Sequence, residues 1–301
     1  MTEAPLLGGE VLAEARAITD AQLAELAGRL SGSDPKLGGA LAYALGTAGK
    51  RVRPALVLGS YRAAGGRSAA IARLGTAVEI IHTYSLVHDD LPCMDDDAWR
   101  RGRPTTHVAF DVPSATRVGY LLVPVAIEVL CQATTELALN VEAHQAVARR
   151  LLAASGIHGM VAGQWLDLVA EGQSLVAGDL TAIHQRKTGA LIQAACEVGA
   201  IAAGASGAVV AALSSFGRDI GLAFQVADDV LDATATTDQL GKTAGRDASL
   251  KKSTYVSSLG VDGARAEAGR LEATAVAWLK AAGVHSPSLV SLAGYIVQRQ
   301  S

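Results

Sequence analysis

Proline is missing from the whole interval between Val125 and Ser286. Proline removes a backbone donor and clashes with the preceding turn, so its absence over such a span leaves room for long helices. Strand-like alternation of apolar and polar residues is equally scarce, which argues against a β-rich or α/β design. With alanine abundant throughout, the chain is expected to be all-α. Basic runs are absent and the formal net charge is −3, so no nucleic acid partner is expected. Only three cysteines occur, Cys93, Cys131 and Cys196, at spacings that suit no metal site. An odd set of unpatterned thiols fits a reducing compartment, and a cytoplasmic location is expected. No basic segment followed by an apolar core opens the N-terminus, so no secretory signal is expected. The stretch between Glu197 and Arg218 is uncharged and long enough to span a bilayer. Its content is mostly Ala, Gly and Ser, and Gly204 to Gly207 reads as a turn between two buried helices, so no transmembrane segment is expected. No Pro-, Gly- or Ser-rich linker divides the middle, and residues 1–301 are expected to form one domain. Half the chain is hydrophobic, enough for a sizeable core.

Helical periodicity is what the chain does carry. Leu23, Leu26, Ala27 and Leu30 form an apolar stripe that ends in the Ser-Gly-Ser-Asp-Pro break at Ser31 to Pro35. Pro54 suits the first turn of a helix that Gly65 and Gly66 would close. From Ser68 to Asp90, Ile71, Leu74, Val78 and Ile81 mark a buried side. His82, Ser85 and Asp89 fall on another face, which is expected to point at a polar cavity.

Two aspartate-rich clusters stand in apolar helical surroundings: HDDLPCMDDD from His88 to Asp97, and FQVADDVLD from Phe224 to Asp232. Either alone reads equally as a solvated acidic helix end. Carboxylates brought together repel one another unless a cation lies between them, and oxygen-only donors suit Mg²⁺ shared with substrate phosphates. Pro92 breaks the helix just past Asp89 and is expected to swing Asp95 back beside it. Asp228 and Asp232 need no such device, being one helical turn apart.

Cations suited to phosphate follow the same map. Arg100 and Arg101 succeed the first cluster, and GKRVRP from Gly49 to Pro54 places three cations in four positions before a helix. A solvated basic turn is the plain account of GKRVRP. The sharper one is diphosphate capture, with Lys50 as a point charge and Arg53 as a two-donor fork. His82 reads either as a core histidine or as part of that capture. Lys187, Lys242 and Lys252 sit at loop-like positions, and the Gly-Lys-Thr at Gly241 lacks the glycine-rich run of a P-loop. Thr188 and Gln225 carry oxygen dipoles able to steady a developing cation.

GKRVRP, HDDLPCMD followed by RRGRPTTH, GQWLDL, QRKTGALI, FQVADDVLD and GKTAGRDASLKKSTY together resemble the trans-isoprenyl diphosphate synthase family, in that family's order and over nearly the whole chain. The resemblance implies the isoprenoid synthase fold, an antiparallel helix bundle around a deep central cavity, usually as a homodimer. It implies Mg²⁺, three ions with substrate bound, on Asp89, Asp95, Asp228 and Asp232, with Asp229 in support. It assigns Arg100, Lys187, Lys242 and Lys252 to an allylic diphosphate and Lys50, Arg53, His82 and Arg101 to isopentenyl diphosphate. Thr188 and Gln225 would face the allylic cation, Gln164 and Asp167 would line the cavity, and Arg299 would close its entrance. The implied reaction is ionisation of the allylic diphosphate, attack by the double bond of isopentenyl diphosphate, and proton loss to the departed diphosphate.

Tyr84 lies about 7.5 Å deeper than Asp89 along a helix. With Ser85 it forms the expected chain-length pair. A ring there acts as a floor, and together with the Pro92–Cys93 insertion it resembles bacterial farnesyl diphosphate synthases. A fifteen-carbon product is expected, with geranylgeranyl diphosphate synthase, a class I terpene cyclase and a non-catalytic partner subunit as alternatives. The chain departs from the family after Phe110, where Pro113, Tyr120 and Pro124 are expected to shorten or kink the helix.

Overall fold

The computed structural model describes residues 8–32, 34–172, 175, 177–234 and 253–298. Helices α1 (Gly8–Ser31), α2 (Pro35–Leu45), α3 (Val52–Ala63) and α4 (Ile71–Asp89) come first. A short helix α5 (Thr106–Ala109) precedes α6 (Val112–Glu136), α7 (Val141–Ser155) and α8 (Met160–Val169). Helix α9 (Ala177–His184) passes through a π-helical turn, Gln185–Gly189, straight into α10 (Ala190–Ala202). Helices α11 (Gly207–Thr234), α12 (Tyr255–Ala281) and α13 (Pro287–Gln298) follow. The strand content among the described residues is one hairpin, Trp99–Arg100 against Arg103–Pro104. The all-α expectation therefore holds.

Local chemistry sets the boundaries. In the break after α1, Asp34 caps α2 by accepting from the N–H groups of Lys36 and Leu37, with Pro35 where no donor is needed. Gly65, at φ +93°, supplies the left-handed residue that ends α3. Thr254 and Ser257 form a capping box at the start of α12. Gly204, at φ +70°, turns the chain between α10 and α11 where the sequence suggested a turn.

Helix α4 runs through the core. Ile71, Leu74, Val78 and Ile81 are at most 1% exposed, and the helix packs against α3, α6 and α10. A second apolar cluster joins Leu180 of α9, Leu222, Val226 and Val230 of α11, and Tyr255 and Leu271 of α12. Helices α6 and α11 are long and apolar enough to cross a bilayer. Here Val118, Leu122 and Leu130 of α6 and Phe216, Ile220 and Val226 of α11 are buried in the protein's own core.

One expectation is corrected. Helix α6 is not shortened: it runs for 25 residues with Pro124 inside. Asp111 caps it, accepting from the Ser114 N–H, and Pro113 falls in the first turn, where its missing donor costs nothing. Pro124 deprives the Tyr120 carbonyl of its helical partner, but Tyr120 is 68% exposed, so water can serve that oxygen.

Candidate active site

At the end of α4 the chain folds back on itself. The Asp95 N–H donates to the Asp89 carbonyl at 2.9 Å, and the Asp97 N–H donates to the Asp90 carbonyl at 3.2 Å. Asp96 takes a left-handed φ of +51° to allow this. Asp95 thus returns beside Asp89, as the Pro92 break suggested. Burial pushes the Asp89 carboxyl up to about 6; Lys187 and Arg100 oppose the shift, and the neighbouring Asp95 and Asp90 add to it. A buried carboxylate crowded by two others favours any cation that can enter.

Arg100 follows on the hairpin. Its Nε donates to Asp90 Oδ1 at 2.7 Å, and its Nη2 lies 3.4 Å from Asp97 Oδ2. Burial opposes the Arg100 charge, but Asp90, Asp89 and Asp95 outweigh it. Arg101 turns the other way at φ +53° and donates to the Ala48 carbonyl at the foot of GKRVRP. Burial lowers Arg101 to about 10, with Arg100, Arg51 and Arg53 adding to the shift and Glu79 opposing it.

His82 stands among these guanidiniums. Burial, then Arg53, Arg101, Arg100 and Arg51, hold its pKa well below the usual value, so the imidazole is neutral. Seven residues and roughly 10 Å along α4 separate this positive surrounding from the negative one at Asp89. Arg53 is buried at the start of α3. Lys50 lines a cleft of about 390 Å³ with Arg16, Asp20 and Tyr295.

Arg51, the third cation of GKRVRP, was given no role by the sequence, yet it anchors the loop. It is buried, donating to Glu79 Oε1 and Asp20 Oδ1 at 2.8 Å each and to the Thr47 carbonyl at 2.9 Å. The loop carrying Lys50 and Arg53 is thereby tied to α1 and α4 at once.

The π-helical turn links the two aspartate clusters. Lys187 Nζ lies 2.6 Å from Asp167 Oδ2 on α8. Burial works against the ammonium, but Asp167, Asp95 and Asp89 outweigh it and raise its pKa. Thr188 Oγ1 donates to Gln225 Oε1 at 2.8 Å. Gln225 sits one turn before Asp228 on α11. A π turn inserts one extra residue, so consecutive side chains reach toward different neighbours. Gly163 of GQWLDL makes this possible: a Cβ there would lie 2.1 Å from the Lys187 backbone nitrogen. In the same motif the Gln164 amide reaches Asp95 at 3.4 Å.

On α11, Asp232 is buried and Asp228 half-buried. Asp229, assigned to metal support by resemblance, accepts the Tyr255 N–H at 2.8 Å and the Gln225 amide at 3.3 Å. It fixes the start of α12. Among the described residues no three acidic, histidine or cysteine groups converge closely enough to hold an ion unaided. The donors present still fit Mg²⁺. They are oxygen atoms, and the Gln164 Oε1 beside Asp95 is buried with no hydrogen-bond partner. Mg²⁺ usually completes its shell with water and substrate phosphate.

Tyr84 is buried below Asp89. Its hydroxyl donates to the Ser155 carbonyl on α7 at 3.3 Å, and Ser85 donates to the His82 carbonyl. Burial and then Asp89 push the Tyr84 phenol up to about 12. Lys242, Lys252 and Arg299 lie outside the described residues.

Comparison with known proteins bears on the family and the fold. The family model for polyprenyl synthetase matches residues 34–277. The chain is 43% identical over 255 residues to farnesyl diphosphate synthase of Escherichia coli, covering 83% of this chain and 85% of that one. It is 42% identical over 270 residues to a mitochondrial geranylgeranyl pyrophosphate synthase of Arabidopsis thaliana, covering 87% and 80%. A geranyltransferase of Helicobacter pylori, solved with magnesium and isoprenyl diphosphate, superposes with a TM-score of 0.81 at 31% identity, covering 97% and 98% of the two chains.

Proposed function

The chain belongs to the polyprenyl synthetase family, and from that premise we propose that it is a farnesyl diphosphate synthase. The coarser statement stands without proposal: it is a trans-prenyl synthase of the farnesyl or geranylgeranyl type, with the all-α isoprenoid synthase fold. Its substrates are isopentenyl diphosphate and an allylic diphosphate. The observation that carries the proposal is the polarity of α4. The helix ends at Asp89, crowded by Asp95 on the returning segment and near Lys187, and two turns back it bears a neutral His82 ringed by arginines. Two diphosphates held on one helix face, one through metal and one through guanidiniums, match a condensation rather than a cyclisation.

Asp89, Asp95, Asp228 and Asp232 would hold Mg²⁺, three ions with substrate bound. Such ions neutralise the charge that develops on a departing diphosphate. Arg100, Lys187, Lys242 and Lys252 grip the allylic diphosphate, Arg100 by exchanging Asp90 for phosphate oxygens. Lys50, Arg53, His82 and Arg101 grip isopentenyl diphosphate. His82, held neutral, donates one hydrogen bond without adding a fifth like charge to the arginine cluster. Thr188 and Gln225, fixed by their mutual hydrogen bond, present oxygen dipoles to the allylic cation. Water must be kept out, because it would otherwise trap the cation as an alcohol. Tyr84 limits chain growth to fifteen carbons.

The same reading makes residues 1–301 one domain, working in the cytoplasm as a homodimer. All three cysteines are free thiols, as a reducing compartment requires. Val161, Trp165 and Val169, spaced one turn apart on α8 and at least half exposed, offer apolar surface of the kind subunit contacts cover. Light scattering at twice the chain mass supports the dimer, and a monomer at micromolar concentration removes it.

The test is incubation with Mg²⁺, labelled isopentenyl diphosphate and dimethylallyl or geranyl diphosphate, with a chelator control. Farnesol as the main alcohol after dephosphorylation, absent with chelator, is expected. A twenty-carbon alcohol keeps the mechanism and transfers the chain to the geranylgeranyl type, which the Arabidopsis relative supports. No elongation hands the lead to the cyclase or partner-subunit readings.

A further inference from the structure

His88 belongs to no part of the reaction described above, yet it occupies a tightly built place. It lies one turn from Tyr84 on α4, and the two rings meet edge to face at 5.8 Å and 90°. On its far side the imidazole meets Tyr120 of α6 at 5.4 Å and 86°. Its Nε2–H donates to the Thr116 carbonyl at 3.1 Å. Because a carbonyl only accepts, this contact places a proton on Nε2 and orients the ring plane.

Helix α6 makes room for the ring at one residue. A Cβ on Gly119 would stand 1.9 Å from His88 Nε2 and 2.2 Å from Cδ2, so any larger residue must expel the imidazole from its slot. Tyr84 is meanwhile tethered by its hydroxyl to Ser155 of α7. Its ring therefore has two independent restraints: a hydrogen bond at the tip and an edge-to-face contact along the side. With its base bonded to Cβ and its tip held by that hydrogen bond, the ring can still turn about its long axis. The lateral imidazole removes that freedom.

We propose that His88, seated over Gly119, is a positioning residue that sets product length by holding the Tyr84 ring across the cavity floor. The inference rests on the reading of Tyr84 as that floor. His88 touches neither substrate nor metal in this account and acts through its neighbour. The aromatic row Tyr84–His88–Tyr120 ties the floor to the outer face of α6, so the depth of the cavity is set by three helices together.

The experiment compares products of the wild type, Tyr84→Ala, His88→Ala, the double variant and His88→Phe, each given geranyl diphosphate and labelled isopentenyl diphosphate with Mg²⁺. The expected result is a rise of about tenfold or more in the ratio of twenty- to fifteen-carbon alcohol for Tyr84→Ala and His88→Ala alike, the usual scale of discrimination by an apolar pocket wall. The double variant should go no further than Tyr84→Ala, and His88→Phe, which keeps a ring edge, should stay near the wild type. Lengthening in Tyr84→Ala with an unchanged ratio in His88→Ala overturns the role of His88 and leaves the floor intact. A double variant that adds both effects also overturns it, because His88 then acts independently. An unchanged ratio in Tyr84→Ala removes the floor itself and the inference with it. If His88→Ala fails to fold, Gly119→Ala displaces the same ring from the other side, and an unchanged ratio there refutes the proposal.

Discussion

Replacing Gly163 with alanine tests whether helix α8 positions the π turn. The new Cβ would meet the Lys187 nitrogen at 2.1 Å, the Lys187 Cα at 2.4 Å and the Arg186 carbonyl carbon at 2.7 Å. All three are backbone atoms, so no side chain can rotate out of the way. An ordinary contact begins near 3.4 Å, and the two segments must part by on the order of 1 Å. Overpacking of this kind costs about 1–3 kcal/mol, or a fall in Tm of about 2–4 °C per kcal/mol for a chain of this size. The larger effect should fall on turnover, because a catalytic group displaced by about 1 Å can lose about 100-fold in rate. Gly28→Ala provides the control. Its Cβ would enter open space on α1, so that variant should keep full activity and match or slightly exceed wild-type stability. The assay is single-turnover condensation at 25 °C beside a thermal melt. A Gly163→Ala protein with a lowered Tm but wild-type turnover would refute the claim that this glycine sets Lys187 in place.

Three other outcomes follow from buried charge. Glu79→Ala leaves the buried Arg51 guanidinium with Asp20 and the Thr47 carbonyl as its remaining partners, so the loss should fall below the about 3–5 kcal/mol of a fully stranded buried charge; a urea melt checks it, and replacing Arg51 with Met as well should restore part of the loss. His82 has a depressed pKa in the folded protein, so its stabilising contribution is complete above about pH 6.5 and is lost as pH falls toward the folded value. The Tm of the ligand-free protein should therefore drop below pH 6.5, less steeply in His82→Gln, and equal slopes would contradict the assignment. Asp89 shows the opposite sign. Its carboxyl is raised to about 6, so its protonation favours the fold at low pH and that benefit is gone above pH 6. Asp89→Asn should raise the Tm of the metal-free protein at pH 8 while abolishing condensation, and a lowered Tm would contradict the burial argument.

Much of this could be read from the sequence because the signals were local. Pro92 foretold the return of Asp95, the four-residue spacing foretold the shared face of Asp228 and Asp232, and proline-free stretches foretold long helices. The misreadings share a different origin. Pro124 was expected to shorten the helix because propensity was weighed without knowing that it falls four residues after Tyr120, an exposed residue. Arg51 could not be told from its neighbours in GKRVRP, since its partners Asp20 and Glu79 arrive from helices distant in sequence. The π turn at Gln185–Gly189 has no periodicity of its own. What betrays it is the approach of Gly163, more than twenty residues upstream, and only the packed structure brings the two together.

The pairs Arg100–Asp90 and Lys187–Asp167 have a consequence for which guests the protein admits. At rest the pocket is an inner salt, its cations already matched by its own acids. On the proposed roles of Arg100 and Lys187, a diphosphate that arrives bare must pull arginine and lysine away and leave Asp90 and Asp167 unmatched. One that arrives with metal brings replacement charge for the acids it dispossesses. Entry is thus closer to ion exchange than to adsorption on a basic patch, and the currency it accepts is the neutralised complex.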